Sequence, residues 1–348
     1  MRLVIGTLAL ATLLLAACTP GASQQPAQIP ATQRPGVDPF AQNQQLGRGI
    51  NLGNALEAPQ EGTWGVRLHE DYFTVIAAAG FQHVRVPIRW NAHALAAPPY
   101  TIDPDFFARI DWVVEQSAKN NLLVILDFHH YEEMFSNHRG HTERFLSLWQ
   151  QIAEHYADAP DTVLFELLNE PHGGLDALAW NEIVPQAIAV IRASNPTRNL
   201  IVGPGNWYKV SQISALSLPA DSHLIVSIHY YEPFHFTHQG AGWVNGSAAW
   251  LGTAWEGTNT QRRNVEADLG RAARWGKENG HPIYLGEFGA YSRADMPSRA
   301  RYTAFVARTA ESLGMSWAYW EFGAGFGAYN RGTGAWKAEL LWALVPAE

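Results

Sequence analysis

Short apolar runs alternate with longer helical patterns from Leu46 onward, and this alternation constrains the fold more than any other feature of the chain. It is typical of βαβ units, in which each helix returns the chain so that successive strands run parallel. Eight strands with intervening helices predict an α/β fold, a (β/α)8 barrel in a single domain. The predicted strands are Gly49–Asn51, His83–Val86, Leu123–Phe128, Val163–Leu168, Leu200–Gly203, Leu224–Ile228, Ile283–Gly286 and Ser316–Tyr319.

The helical patterns between these runs have recognisable starts and apolar faces. Asp103 and Pro104 suit the N-cap and first position of a helix, whose apolar face is Phe106, Ile110, Val113 and Val114. A second helix has the apolar face Val184, Ala187, Ile188 and Ile191. A doubly wound sheet is the competing fold, but it usually has a glycine-rich phosphate turn after its first strand. The segment Gly-Ile-Asn-Leu-Gly-Asn at 49–54 matches that turn poorly.

Two of the apolar runs stop at a glutamate. Glu170 lies in Leu-Leu-Asn-Glu-Pro at 167–171, and Glu287 lies in Leu-Gly-Glu-Phe-Gly at 285–289. By strand count they close strands four and seven, at the barrel end where active sites are built. One such glutamate is more often a surface or salt-bridged residue. Two that face each other across a barrel mouth are the groups that cleave a glycosidic bond, one as proton donor and one as nucleophile.

Other strand ends also have polar or aromatic side chains suited to sugar chemistry, namely Arg85, His129, Asn169, His229, Tyr231 and Trp320. Arg85 can keep a carboxylate ionised, as a nucleophile requires. Asn169 can hold the sugar 2-hydroxyl, a contact that strengthens in the transition state. Tyr231 can orient Glu287 by a hydrogen bond.

Aromatic rings are abundant, with 14 Trp, 12 Tyr and 15 Phe. Most must lie in the core, but some fall in predicted loops, where burial is harder. Each of these is either a core residue or a platform for a pyranose ring: Trp64, Trp207, Phe234, Trp243 and Trp250.

Composition and charge narrow the partners. The chain has 348 residues, 47% of them hydrophobic, which is enough for one large core and argues against disorder. The net charge of −8 disfavours nucleic acid and anionic membrane surfaces as partners. A neutral polysaccharide or oligosaccharide fits this balance, and we expect a monomer.

The N-terminal segment predicts export. Arg2 precedes an apolar run that is too short to span a bilayer and that ends in Leu-Ala-Ala-Cys at 15–18. This resembles a lipoprotein signal over residues 1–18, with Cys18 as the lipidated residue; an ordinary secretory peptide is the alternative. Cys18 is the single cysteine of the chain, so an intrachain disulfide is impossible. Thr19 in place of Asp favours the bacterial outer membrane, and the membrane is contacted through the lipid alone.

Residues 19–45 are rich in Pro, Gln, Ala and Ser and predict a flexible tether. The folded domain is then 46–348, with no internal repeat and no second domain.

The chain resembles glycoside hydrolase family 5 over nearly all of residues 46–342. The matching segments are Gly-Ile-Asn-Leu-Gly-Asn at 49–54, His-Val-Arg-Val-Pro at 83–87, Asp-Phe-His-His-Tyr at 127–131, Leu-Asn-Glu-Pro at 168–171, His-Tyr-Tyr at 229–231, Gly-Glu-Phe at 286–288 and Tyr-Trp-Glu at 319–321. The resemblance implies Glu170 as the acid/base and Glu287 as the nucleophile. It also implies the supporting residues Arg85, His129, Asn169, His229, Tyr231 and Trp320.

Longer stretches resemble a bacterial subgroup that acts within β-1,4-glucan chains, some of whose members also accept β-1,4-mannan. They are Asn-Ala-Leu-Glu at 54–57, His-His-Tyr-Glu-Glu at 129–133 and residues 234–240. This likeness implies the candidate sugar contacts Asn54, Glu57, His130, Trp207, Phe234, His238 and Trp243. The expected function is a retaining endo-β-1,4-glucanase (cellulase), with dual glucanase and mannanase activity as the alternative. No cofactor is expected.

Retention requires the two carboxyl groups to lie about 5–5.5 Å apart. Glu170 must start protonated, so we expect its pKa to be raised by Glu287 and by partial burial. The pair should titrate together and produce a bell-shaped pH profile.

Other functions remain as alternatives. His129, His130, Glu132 and Glu133 have the composition of a metal site, but neighbouring strand residues point to opposite faces. The glycine-rich segment 323–327 is expected to be a loop of the cleft rather than a nucleotide site, and no Gly-x-Ser-x-Gly elbow of an esterase is present. A non-catalytic glycan-binding lipoprotein is disfavoured because both glutamates are intact.

Overall fold

The computed structural model describes residues 36–346. Eight parallel strands form a closed barrel in which the eighth strand pairs with the first. The predicted (β/α)8 barrel is therefore confirmed, and the doubly wound sheet is excluded because an open sheet would leave two unpaired edges. The strands are β1 (Arg48–Asn51), β2 (His83–Ile88), β3 (Leu123–Phe128), β4 (Val163–Glu166), β5 (Leu200–Val202), β6 (Leu224–Tyr230), β7 (Ile283–Phe288) and β8 (Ser316–Tyr319).

Helices connect the strands around the outside of the barrel, and a short hairpin follows β8, formed by β9 (Tyr329–Asn330) and β10 (Ala335–Trp336). Within 36–346 the helices are α1 (Pro39–Leu46), α2 (Glu70–Ala78), α3 (Pro104–Lys119), α4 (Glu132–Ser136), α5 (His138–His155), α6 (Ala177–Arg192), α7 (Phe234–Thr237), α8 (Asn259–Asn279), α9 (Met296–Ser312) and α10 (Ala338–Leu344). No helix among these described residues is both long and apolar enough to cross a membrane.

Both predicted helical patterns are confirmed. The Asp103 side chain caps α3 by accepting from the backbone N–H of Asp105, and Pro104 occupies the first turn. The predicted apolar faces of α3 and α6 are buried, apart from Val114, which is only partly covered. Burial of these faces against the strands forms the main core, between the barrel and its surrounding helices.

Several strand ends differ from the prediction by one or two residues, and two of them change the setting of the predicted glutamates. The strand β4 stops at Glu166, so Asn169 and Glu170 lie in the following loop rather than at the last strand position. The strand β7 continues to Phe288, so Glu287 lies within it. The carboxylate of Glu287 is consequently held by a hydrogen-bonded strand, whereas Glu170 depends on its loop.

The tether prediction is wrong at its C-terminal end. Residues 39–45 belong to α1, which is capped by Asp38 and buries Gln42, Asn43 and Leu46. Asn43 donates to the carbonyl of Ile283 at 3.1 Å and accepts from Ser316 Oγ at 2.5 Å. Because α1 contacts β7 and β8 in this way, the folded domain begins before residue 46. Cys18, the signal segment and the rest of the tether lie outside the described residues.

The barrel interior has two layers. The lower layer is apolar, a cluster of Leu46, Ile125, Leu164, Ile201, Ile225, Tyr284 and Ala318. Above it lies a buried polar layer formed by Asn51, Arg85, Asp127, Glu166, His229 and Glu287. Register produces this arrangement, since Asp127 pairs with Glu166 across β3 and β4. The chemistry-bearing side chains thus lie at the carboxyl end of the barrel.

Candidate active site

A cleft of about 1390 Å³ opens at the carboxyl end of the barrel. Its lining includes every sequence-predicted site residue except Arg85, which is fully buried beneath the floor. Those that line it are Asn54, Glu57, His129, His130, Asn169, Glu170, Trp207, His229, Tyr231, Phe234, His238, Trp243, Glu287 and Trp320. The barrel therefore brings together residues that are spread over most of the chain.

The two predicted catalytic glutamates face each other on the cleft floor, with His229 between them. A carboxylate oxygen of Glu170, one of Glu287 and a ring nitrogen of His229 all lie within 4.8 Å of one another. His229 Nδ1 is 2.6 Å from Glu170 Oε1 and 3.7 Å from Glu287 Oε2. A separation this short fits a retaining mechanism and leaves no space for the water that an inverting mechanism places between its carboxyl groups.

A β-bulge places His229 beside Glu287. The register between β6 and β7 shifts after Ile228, so that His229 pairs with Glu287 and Gly286 is passed over. A Cβ atom at Gly286 would lie 2.7 Å from Ser227 Oγ and 2.9 Å from His229 Nε2, so only glycine fits there. The glycine in the Gly-Glu-Phe segment is thus a requirement of the site geometry.

Glu287 is held in one orientation by two donors. Arg85 Nη1 donates to its Oε1 at 2.8 Å, and Tyr231 donates from its hydroxyl to Oε2 at 2.8 Å. Both bonds favour the ionised carboxylate. The predicted roles of Arg85 and Tyr231 as contacts of a carboxylate are confirmed.

Glu170 has a different environment. It contacts His229 Nδ1 and no cation, its side chain is 18% exposed to the cleft, and its backbone φ is 48°. That left-handed conformation is unusual for a residue with a side chain and turns the carboxyl group over the floor. His172 Nδ1 forms a hydrogen bond of 2.7 Å with the backbone carbonyl of Glu170, and this bond stabilises the turn.

Burial raises the pKa of both carboxyl groups to about 7, although Arg85 favours ionisation of each. The expected rise of the Glu170 pKa is confirmed in direction and in its cause by burial, but the like charge that adds to it is that of Glu166 rather than the expected Glu287. The direct hydrogen bonds from the arginine and the tyrosine hydroxyl favour loss of the first proton from Glu287. Glu170 then retains its proton beside a charged neighbour. Burial also lowers the pKa of His229 to about 4, so its ring is neutral at pH 7.

Arg85 is the centre of a buried network that sequence reasoning found only in part. Its Nε and Nη2 donate to Glu166 at 2.6 and 3.1 Å, its Nη1 donates to Asn51 at 2.9 Å, and Asp127 lies 3.0 Å away. Although burial opposes its charge, the carboxylates of Asp127, Glu166 and Glu287 hold the Arg85 pKa well above its ordinary value. Asn51, Asp127 and Glu166 were not predicted as site residues. For Asp127 and Glu166 the available signal was a charged residue inside an apolar strand.

Residues 45–325 match the family model described as cellulase, glycosyl hydrolase family 5. The chain belongs to glycosyl hydrolase family 5. This confirms the resemblance found in the sequence. Endoglucanase H of Acetivibrio thermocellus is 35% identical over 322 residues, covering 90% of this chain and 34% of that protein. Cellulase/esterase CelE of the same organism is 29% identical, covering 85% of this chain and 39% of that protein. The chain therefore spans a minor part of these curated relatives.

Solved structures of the family superpose over most of the chain. Cel5A of Thermotoga maritima in complex with mannotriose has a TM-score of 0.87 and 48% identity, and the match covers 88% of this chain and 100% of that one. The complex of the same enzyme with cellobiose matches with the same TM-score, identity and coverage.

The outer cleft of this family 5 chain is lined by stacked aromatic rings. Trp207 stacks on His172 at 3.5 Å, and Phe234 stacks on His238 at 4.1 Å. Trp243 meets Tyr291 edge-on at 4.9 Å. Among the five loop aromatics, Trp64, Trp207, Phe234 and Trp243 line the cleft, whereas Trp250 packs on His235 outside it. Tyr291 and Phe326 also line the cleft and were missed, because nothing in their local sequence separates them from core rings.

Two further buried carboxyl groups bear on the family 5 cleft: Glu57 is part of its lining, and Glu321 bonds the backbone of the lining residues Ala324 and Phe326. Glu57 accepts from the backbone N–H groups of Asn54 and Ala55, and burial raises its pKa to about 8. Glu321 accepts from the N–H groups of Gly323, Ala324 and Phe326. The glycine-rich segment is therefore a cleft loop held by a carboxylate, as expected.

The suspected metal cluster is not assembled. His129 and His130 have rings at 82° to each other, and His130 Nδ1 lies 3.7 Å from Glu132. Within 36–346, the one group of three potential ligands that come together is Glu170, His229 and Glu287. The family 5 site is thus organised around the carboxylate pair.

Proposed function

We propose that the protein is a retaining endo-β-1,4-glucanase. The observation that carries this proposal is the pair Glu170 and Glu287, with carboxylate oxygens within 4.8 Å of each other on the floor of an open cleft. Family membership and relatives named endoglucanases support the same activity. An open cleft lined by aromatic rings suits the interior of a polymer chain.

In the proposed reaction Glu287 attacks the anomeric carbon, while Glu170 gives its proton to the departing oxygen. The bond to the leaving sugar breaks, and a covalent glycosyl-enzyme forms at Glu287. Water then attacks the anomeric carbon as Glu170 takes a proton from it, and the bond between that carbon and Glu287 breaks, which restores both carboxyl groups. The assignment rests on the contacts described above, because Arg85 and Tyr231 stabilise a charged Glu287 and Glu170 has no cation partner.

Dual activity on β-1,4-mannan is the second candidate. Cel5A of Thermotoga maritima, which shares the fold and 48% identity, has been solved with both mannotriose and cellobiose. Glucose and mannose units differ in the direction of the 2-hydroxyl. A cleft that accepts both must tolerate an axial and an equatorial group near Asn169.

Initial rates on soluble β-1,4-glucan and β-1,4-mannan test the function. We expect glucan cleavage with a rapid fall in viscosity, and a product whose first anomer is β by NMR. Glu287→Gln should lose at least about 10³-fold in activity, whereas Glu232→Gln, which changes another glutamate of the cleft lining, should retain activity. An initially inverted product, or activity that survives in Glu287→Gln, would contradict the mechanism. Equal rates on both polymers would broaden the function to glucan and mannan.

We also propose that the chain is exported, anchored through a lipid on Cys18 at the bacterial outer membrane, and active as a monomer. The lipoprotein-like signal at 15–18 supports the anchor, and the single-chain cleft supports the monomer. Radiolabelled palmitate should label the parent and not Cys18→Ala, and the label should fractionate with outer membranes. Incorporation in the variant would contradict the anchor, and a dimer in light scattering would contradict the monomer.

A further inference from the structure

The side-chain amide of Asn169 is held between a donor and an acceptor. Its Oδ1 accepts from Arg85 Nη2 at 2.8 Å, and its Nδ2 lies 3.4 Å from His129 Nε2. A guanidinium has no acceptor atom, so the oxygen must face Arg85 and the Nδ2 group must face His129. One N–H of the amide remains to be directed into the cleft.

The protonation of His129 follows from the same reasoning. Because Asn169 Nδ2 can only donate, His129 Nε2 must be the unprotonated nitrogen of the ring. The proton then lies on Nδ1, which is 2.5 Å from Asp127 Oδ2. Burial lowers the His129 pKa well below its ordinary value, so the ring stays neutral with this single tautomer. Donation runs in one direction, from Asn169 through His129 to Asp127.

Asp127 is the end of this chain and does not touch the cleft. It is fully buried and absent from the cleft lining, and its Oδ2 is shared between His129 and Arg85 Nη2 at 3.0 Å. Its effect on a substrate must therefore pass through His129 and Asn169. The His129 ring also lies nearly parallel to that of Trp320, with ring centroids 5.5 Å apart.

We propose that Asp127 is a positioning residue: through His129 it holds the amide of Asn169 in the orientation that contacts the sugar 2-hydroxyl. The inference rests on the proposed function, because that contact belongs to glycoside cleavage. It adds a determinant of 2-hydroxyl recognition that lies outside the cleft. Asparagine at 127 can donate to His129 Nδ1 and so move the ring proton to Nε2. Asn169 Nδ2 and a protonated His129 Nε2 would then face each other as two donors. The Asn169 amide would therefore rotate out of the orientation that contacts the sugar 2-hydroxyl.

The experiment compares an aryl β-cellobioside with its analogue that lacks the 2-hydroxyl on the reacting glucose. The ratio of their kcat/KM values measures the contribution of that hydroxyl. In Asp127→Asn we expect the ratio to fall about tenfold: loss of a carboxylate beside Arg85 slows both substrates, but the parent substrate slows more because it also loses the oriented Asn169 contact.

Glu166→Gln is the matched control. It also removes one fully buried carboxylate from Arg85, but Glu166 has no contact with His129. It should slow both substrates alike and leave the ratio unchanged. If Asp127→Asn also slows both alike, Asp127 is merely structural and the inference is overturned.

His129→Phe tests the same chain one residue later and covers the case that Asp127→Asn does not fold. Phenylalanine keeps the stack on Trp320 but removes both ring nitrogens, so the ratio should fall as it does in Asp127→Asn. An unchanged ratio in His129→Phe overturns the inference. The parent protein separates the two claims: no turnover of the cellobioside overturns the proposed function itself, whereas turnover with a constant ratio overturns only the role of Asp127.

Discussion

The two glutamates differ most in their hydrogen-bond partners. Glu287 is bonded by a guanidinium and a phenol, and Glu170 by a neutral imidazole. Hydrogen bonds to the charged form of a carboxyl group favour ionisation, so these partners assign opposite protonation states to two identical side chains. The pH profile should then rise as Glu287 loses its proton and fall as Glu170 loses its own.

Removing the tyrosine hydroxyl should move one limb of that profile. In Tyr231→Phe the Glu287 carboxylate loses a donor, so its pKa rises and the acid limb of kcat/KM moves to higher pH by about one unit. Tyr208→Phe is the control, since the Tyr208 hydroxyl donates to the Leu168 carbonyl at 2.6 Å and to no carboxylate. Its acid limb should stay in place. A shift of the basic limb in Tyr231→Phe would instead assign the nucleophile to Glu170.

At the scale of elements, short irregularities in the backbone decide where the side chains of the site point. The bulge at Gly286 aligns His229 with Glu287, and the left-handed turn at Glu170 lifts its carboxyl group over the floor. Three successive residues, Asn206, Trp207 and Tyr208, also have left-handed φ angles of 62°, 69° and 53°. Such conformations are found where the surrounding structure holds them, and here they present Trp207 to the cleft.

The contribution of the first helix, α1, to the stability of the fold can be measured. In Asn43→Ala two buried hydrogen bonds of α1 to the barrel bottom are lost, and the free energy of unfolding should fall by about 1–3 kcal/mol. Gln44→Ala, on the exposed side of the same helix, should change it by less than about 0.5 kcal/mol. Urea denaturation measures both. Equal stability of the two variants would mean that residues 39–45 act as the predicted tether after all.

At the scale of the whole molecule, barrel closure concentrates buried carboxyl groups at one end. Burial raises the pKa of Glu57 to about 8 and that of Asp127, Glu170, Glu287 and Glu321 to about 7. Since these values exceed those of the unfolded chain, the folded state binds more protons, and the corresponding stability is lost as pH rises through them. Buried histidines have the opposite effect on stability. Burial lowers the pKa of His229 to about 4, so its contribution is present above about pH 6.5 and is lost as the pH falls toward 4.

Glu57→Gln should therefore gain stability relative to the parent as pH rises. The contribution of Glu57 is fully present below about pH 4.5 and disappears as pH passes about 8, whereas glutamine does not titrate. The difference in Tm between variant and parent should increase in favour of the variant from pH 5 to pH 9. Glu339→Gln, exposed at the start of α10, should show a constant difference. A difference for Glu57→Gln that is also constant would mean that this carboxyl group ionises in the fold as it does in the unfolded chain.

The sequence by itself determined the eight strands, the barrel and the two facing glutamates, because alternating apolar runs and their terminal residues are local features of the chain. It also identified Arg85 and Tyr231, since polar groups at strand ends must converge in a closed parallel barrel. Only the tertiary structure decided the roles of Asp127 and Glu166, the alignment of His229 by the bulge, and the packing of α1. Those depend on register, burial and contacts between residues far apart in the chain, and a linear pattern of residue types does not contain them.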